Sequence, residues 1–135
     1  MPGELALAID SCITETTILV VVIFKKIREV VKFKGKCKKL GKEAKHLQFL
    51  LEKRSDAIKD FQTVPEFRKC FADIEKFVES CTKRNTTQVV WEVLYTRDFP
   101  AIRKRISALK DVFLLESVVS FELFLLGLNS ALTGV

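Results

Sequence analysis

Apolar positions in this chain come first as two blocks, Leu5-Ala6-Leu7-Ala8-Ile9 and Ile18-Leu19-Val20-Val21-Val22-Ile23-Phe24. Between them lies a polar patch of Asp10, Ser11, Thr14, Glu15, Thr16 and Thr17. The pattern predicts a first helix from about Glu4, or from a start at Ser11 or Thr14, to about Val31. The β-branched run Thr16 to Ile23 also reads as a buried strand. No second strand candidate accompanies it, and a lone strand leaves its backbone groups unpaired, so helix is the better reading. A transmembrane helix needs roughly 20 consecutive, mostly apolar residues, and two carboxylates interrupt this stretch. The segment is too apolar for an ordinary exposed helix and too polar for an obligate span.

The second helix has the clearest period. Phe33, Cys37, Leu40, Ala44, Leu47, Leu51, Ile58 and Phe61 follow steps of four and three, broken only at Arg54. Such an a/d seam suits helices packed at shallow angles. Gly35 and Gly41 lie within it, as sites of close helix contact or of a bend. Thr63-Val64-Pro65-Glu66 signals a third helix, with Thr63 or Val64 near the cap and Pro65 in the first turn. Its stripe is Phe67, Cys70/Phe71, Ile74, Phe77/Val78 and Cys81, and Lys83-Arg84-Asn85-Thr86 ends it. Thr87 to Tyr95 reads as a short helical piece across the end of the bundle. Asp98-Phe99-Pro100 then reopens a fourth helix, with Phe99, Ile102, Ile106, Leu109 and Phe113 on one side. Beyond Phe113 the apolar stripe broadens, which extends the fourth helix or forms a fifth after a bend near Ser117 to Ser120. Short connections between four helices predict an all-α, up-down four-helix bundle.

Size and composition agree with one domain over residues 1–135. Such a chain buries about two-thirds of its unfolded surface and folds without a metal or disulfide. Cys12, Cys37, Cys70 and Cys81 are far apart and form no close-spaced pair, unlike zinc ligands. With no secretory signal, they read as free, mostly buried thiols in a reducing cytosol. Catalysis has no visible basis: there is no Gly-rich phosphate loop, no metalloprotease helix motif, no nucleophile elbow, and a single histidine, His46. Cys37 lies nine residues before His46, on a different turn and face. The expectation is therefore no enzyme, no cofactor, no metal and no catalytic residue.

Charge changes the picture more. The net charge of +6 is concentrated: residues 25–54 hold twelve Lys or Arg against Glu29, Glu43 and Glu52, and Arg103-Lys104-Arg105 adds a second cluster. Residues 1–24 carry only Glu4, Asp10 and Glu15, and residues 111–135 only Asp111, Glu116 and Glu122. An apolar, mildly acidic N-terminal segment (1–24), a basic bundle (25–113) and an apolar C-terminal helix (114–135) follow. A basic middle between apolar ends fits an anionic membrane surface, where each lysine contributes about 1 kcal/mol. Duplex or single-stranded nucleic acid fits less well, because the phenylalanines keep core spacing and form no exposed stacking platform; no specific nucleic-acid partner is expected.

The residues Cys37-Lys38-Lys39-Leu40-Gly41 with Leu47, Leu50 and Leu51 carry a resemblance, as do Phe67, Phe71, Ile74, Phe77-Val78-Glu79 and Cys81. Trp91-Glu92-Val93-Leu94-Tyr95 before a basic helix adds to it. Over most of residues 1–113 this pattern resembles the four-helix domain of HeLo-type fungal cell-death proteins, mixed-lineage-kinase-domain-like pseudokinases and the coiled-coil domains of plant helper resistance proteins. The resemblance implies a dormant cytoplasmic bundle, attached to or partnered by a sensor or pseudokinase. On activation it homo-oligomerises, binds phosphoinositides or phosphatidylserine and permeabilises the plasma membrane. It further implies lipid contacts from Lys25, Lys26, Lys32, Lys34, Lys36, Lys38, Lys39, Lys42, Lys45, Arg103, Lys104 and Arg105. Insertion would fall to Leu5, Leu7, Ile9, Ile18, Leu19, Val20, Val21, Val22, Ile23 and Phe24. One departure is visible: many family members begin with a Gly/Ala-rich apolar helix, where this chain has Thr14 to Thr17 and a β-branched run. Helical geometry alone places Glu4, Ser11 and Glu15 within about 40° on one face, so an assembly of first helices could line a lumen with Glu4 and Glu15. The rival reading is a helical adaptor whose apolar ends pack on partner helices, without lytic activity.

Overall fold

The structure, a computed structural model, describes residues 2–114; the apolar C-terminal segment expected at 114–135 lies outside the described residues beyond Leu114. Among the described residues the chain is all-helical, with four helices and no strand.

The first helix, α1, spans Pro2–Ile27. Pro2 and Glu4 suit its first turn, and Lys25 and Lys26 its last. The β-branched run is helical. Its threonines are accommodated by back-bonding: the Thr14, Thr16 and Thr17 hydroxyls donate to the carbonyls of Asp10 (3.1 Å), Cys12 (2.8 Å) and Ile13 (2.7 Å). The helix stops short of Val31. Arg28, Glu29 and Val30 close a tighter turn on Lys25, Lys26 and Ile27, and the Val31 N–H is drawn to the Cys81 carbonyl at 3.0 Å. The chain then reverses through Phe33, whose φ of 58° lies in the left-handed region.

The second helix, α2 (Lys34–Lys53), buries Cys37, Leu40, Gly41, Ala44, Leu47 and Leu51. Gly41 lies close against α1. A Cβ there would stand 2.7 Å from Ile27 Cδ1 and 3.5 Å from the Phe24 ring. Gly35 has open space around it. The seam does not continue as one helix past Arg54, as its spacing predicted. A 3-10 turn, Ser55–Ala57, intervenes; Ile58 still reaches the core, whereas Phe61 is exposed. The break falls where Arg54 puts a polar group on the seam and the polar pair Ser55-Asp56 follows it.

The third helix, α3, spans Thr63–Cys81 and buries Val64 and every residue of the expected stripe. Thr63 is its first residue, next to the cap position Gln62, as expected, and Asp60 supplies the side-chain bonds at this end: its carboxylate accepts from the Thr63 N–H (2.9 Å) and hydroxyl (3.0 Å).

The expected separate piece before the fourth helix is instead its first part. Helix Gln88–Val93, capped by the Thr87 side chain accepting from the Val90 N–H, runs through a π segment, Leu94–Asp98, into residues 99–114. Pro100 lacks an N–H and its ring crowds the carbonyl four residues back, so a widened turn here keeps the helix continuous. The π turn also explains the five-residue step between buried Leu94 and Phe99. In a regular α-helix that step would rotate the stripe by about 140° away from the core. Downstream, Ile102, Ile106, Leu109 and Phe113 are buried as expected.

Contacts between helices fix their pairing. On α1 and α3, Cys12 meets Val64, Glu15 meets Arg68 and Lys26 meets Glu79, so these two run in the same direction. On α2, Gly41 faces Ile27 and Gln48 bonds Thr17, so α2 opposes α1. Phe67 packs on Phe113 and Phe77 on Phe99, each with ring centroids 5.8 Å apart, so the fourth helix opposes α3. All four helices share one core, whose largest fully buried side chains include Phe67, Phe71, Leu40, Leu47 and Ile23.

Candidate membrane-docking surface

α1 combines two properties that rarely coincide. Within Gly3–Ile27 its most apolar window has a mean hydropathy of 2.0, and the helix is long and apolar enough to cross a membrane, a test that core helices and signal sequences also pass. Yet only 22% of its most apolar window is buried. One side, with Ile9, Cys12, Thr16, Ile23 and Ile27, faces the core. The other leaves Leu7, Ile18 and Val21 at 71%, 58% and 56% exposure, with Phe24 at 37%. Leu5, Leu19, Val20 and Val22 are intermediate. The residues assigned to insertion are thus divided between anchor and open apolar surface.

Polar contacts hold this helix to α3 at two levels. Lys26 forms ion pairs with Glu75 and with Glu79, the latter at 2.8 Å. Those bonds pull the Glu79 carboxyl below its ordinary range and push the Lys26 ammonium above its own. Lower down, Arg68 meets Glu15 at 2.8 Å and Ser11 at 3.3 Å. Glu15 and Ser11 therefore share a face, as helical geometry indicated, and that face is turned towards Arg68 of α3. Glu4 is exposed.

Apart from Lys36, which is half-buried, the basic residues fall into two groups. Lys26, Arg103 and Arg105 are paired within the fold, with Glu75 and Glu79, with Glu43 at 3.6 Å, and with Asp73. Lys25, Lys32, Lys34, Lys38, Lys39, Lys42, Lys45 and Lys104 are exposed. Lys34, Lys38, Lys42 and Lys45 follow steps of four, four and three along α2, so they form one outward stripe. A groove of about 350 Å³ between α2 and the fourth helix carries Arg103, Lys104 and Lys110 against one carboxylate, Glu43. Basic side chains thus cover the outside of α2 and its border with the fourth helix.

Cysteine chemistry is quiet. All four thiols are free and buried. Burial pushes the Cys70 thiol up to about 12 and raises Cys12. The free Cys37 and Cys81 thiols share a hydrogen bond between α2 and α3, and this contact, with burial, raises Cys37. His46 is exposed, so it is not brought to buried Cys37. Among the described residues no group of three His, Cys, Asp or Glu is placed to hold a metal.

One cluster escaped the sequence reading. Phe33 leaves its seam position to join Trp91 and Tyr95, with Lys32 and Lys36 over the rings. The available signal was the four-residue spacing of Trp91 and Tyr95. No protein-family model, curated protein or solved structure matches the chain.

Proposed function

We propose that the chain is a membrane-targeting, self-associating cell-death effector domain of the HeLo-like kind, built as an up-down four-helix bundle. The observation that carries the reading is α1: long and apolar enough to span a bilayer, only 22% buried over its most apolar window, and mounted on a basic body. In the resting state α1 stays on α3 and α2 through its anchor residues and its two polar clamps. Its threonine hydroxyls are already bonded within the helix, which lowers the cost of moving them into lipid. The basic stripe of α2 with Lys104 draws the bundle to phosphoinositide- or phosphatidylserine-rich membrane. Release of α1, insertion of Leu5 to Phe24 and assembly of several copies then breach the plasma membrane. In that assembly Glu15, freed from Arg68, lines the lumen with Glu4 and favours cations.

Dye release tests this directly. Vesicles containing phosphatidylserine or phosphoinositide leak on addition of the protein, and neutral vesicles do not. Changing Lys38, Lys39, Lys42 and Lys45 to Glu abolishes docking. Absence of binding to either vesicle type would refute the proposal. It would favour the adaptor reading, in which the open apolar stripe of Leu7, Ile18 and Val21 receives a partner helix. For the lumen, Glu15→Gln lowers cation preference; unchanged selectivity counts against a lining role.

A further inference from the structure

Where α1 turns into α2, three aromatic side chains gather from distant parts of the sequence. Phe33 meets Trp91 edge to face, with centroids 5.7 Å apart and planes at 86°, and lies 5.6 Å from Tyr95. Together with Glu92 they wall a surface cavity of about 240 Å³. That is smaller than the roughly 300–1,000 Å³ of a pocket for a drug-sized ligand, and suits a compact headgroup. The chain's own cations already use the rings. The Lys32 ammonium stands 5.5 Å from the Trp91 centroid and 5.7 Å from that of Phe33. Lys36 stands 4.4 Å from Tyr95 and 4.6 Å from Phe99.

The backbone is bent to make this arrangement. Phe33 occupies the N-cap of α2 at φ 58° and ψ 36°, with no side-chain cap bond. A cap favours Ser, Thr, Asp or Asn, and the left-handed region favours Gly or Asn. A bulky aromatic residue meets neither preference. What the strained conformation achieves is to lay the Phe33 ring against Trp91 and Tyr95. Strain held in place at a cleft is a recurring mark of a binding site.

We infer that this cavity is a phosphocholine site: the Phe33, Trp91 and Tyr95 rings hold the trimethylammonium and the Lys32 ammonium holds the phosphate. Aromatic faces attract cations, and quaternary ammonium groups are a recognised cargo of such cages. A trimethylammonium is weakly hydrated, so it enters the cage at lower desolvation cost than the primary ammonium of Lys32 or of phosphoethanolamine. Glu92 at the wall complements its charge. Lys32, displaced from the Trp91 face, remains at the cavity wall and meets the phosphate. A plain cation would be repelled by Lys32 and a plain anion would find no use for the rings. The zwitterion uses both. This site is separate from the α2 lysine stripe and stands independently of the lytic reading.

Trp91 is the chain's only tryptophan, so its fluorescence reports the cavity directly. Titration of the full chain with phosphocholine gives a saturable change in Trp91 emission. Phosphoethanolamine and inorganic phosphate bind about tenfold or more weakly, the equivalent of a lost cation–π contact on the usual scale. Tyr95 is half exposed, so Tyr95→Ala leaves the fold intact and weakens phosphocholine binding about tenfold, while Tyr95→Phe restores it. Reversing the charge of Lys38, Lys39, Lys42 and Lys45 leaves the response unchanged, which separates this site from anionic-lipid docking. Phosphatidylcholine vesicles that produce the same change, displaced by free phosphocholine, identify the source as a lipid headgroup. A response to free phosphocholine alone identifies a soluble ester. No saturable response, an equal response to phosphoethanolamine, or unchanged binding by Tyr95→Ala overturns the assignment.

Discussion

Replacing Lys26 with Met keeps most of the side-chain stem and removes the ammonium that clamps α1 to α3. Two ion pairs are lost, with Glu75 and Glu79, both on partly exposed side chains. Pairs of this kind contribute about 0.2–1 kcal/mol each. Glu75 and Glu79, four residues apart on one helix, are then left to repel each other by about 0.2–0.5 kcal/mol. Lys26→Met should therefore cost about 1–2 kcal/mol at pH 7. The pH window follows from the directions of the shifts. The Glu79 carboxyl is depressed by Lys26, so its contribution is complete above the ordinary glutamate value of about 4.3 and fades as pH falls through the lowered one. The Lys26 ammonium is raised by both carboxylates, so its contribution is complete below the ordinary lysine value and fades only as pH rises through the raised one. The gap between wild type and variant is a plateau through neutral pH that closes in acid. Urea unfolding measures it: with a slope of about 1–3 kcal/mol per molar, the midpoint falls by about 0.3–2 M at pH 7 and by much less near pH 3. An equal loss at both pH values would refute the electrostatic account and assign the effect to packing of the stem. Glu79→Gln weakens the same clamp without removing a base, and under the proposed function it lowers the protein concentration needed for vesicle leakage.

Gly41 and Ile27 should couple. Gly41→Ala drives a methyl into Ile27 Cδ1, whereas Ile27→Val removes that carbon, so the double variant is more stable than the sum of the singles by about 0.5–2 kcal/mol in a urea double-mutant cycle; additivity would disprove the contact. Phe113→Ala empties a fully buried site against Phe67 and should cost about 3–5 kcal/mol by the same measurement, with a loss under 1 kcal/mol placing the end of the fourth helix off the core. The four thiols, all buried and with Cys70 pushed up to about 12, should resist a thiol reagent at pH 8 in the native state and all react in denaturant; fast native labelling would contradict their burial.

The helical reading of the chain, the buried stripe of α3 and the buried side of the fourth helix were legible in the sequence. Each follows from residue spacing on a helix of 3.6 residues per turn, a local property. The basic stripe of α2 was legible for the same reason. The α1 threonines were ambiguous in sequence because β-branching speaks for a strand; the back-bonds of Thr14, Thr16 and Thr17, themselves local, made the helix tenable. The end of α2 at Lys53 and the continuity of the fourth helix were misjudged. In one case polar Arg54 outweighed a continuing seam, and in the other a π turn absorbed Pro100.

What tertiary structure alone decided is which of two equivalent-looking residues does which task. Lys26 and Arg105 look like Lys38 and Lys42 in sequence, yet carboxylates of α3 claim the first two, while Lys38 and Lys42 are exposed. Leu7 and Ile23 are alike in hydropathy, but one faces outward and the other is fully buried. Phe33 fits a seam, yet its backbone turns left-handed to reach Trp91 and Tyr95, fifty-eight and more residues away. Periodicity establishes that a helix has an apolar side; only the packing of other helices selects which part of that side is covered, which charges are paired, and where distant rings meet.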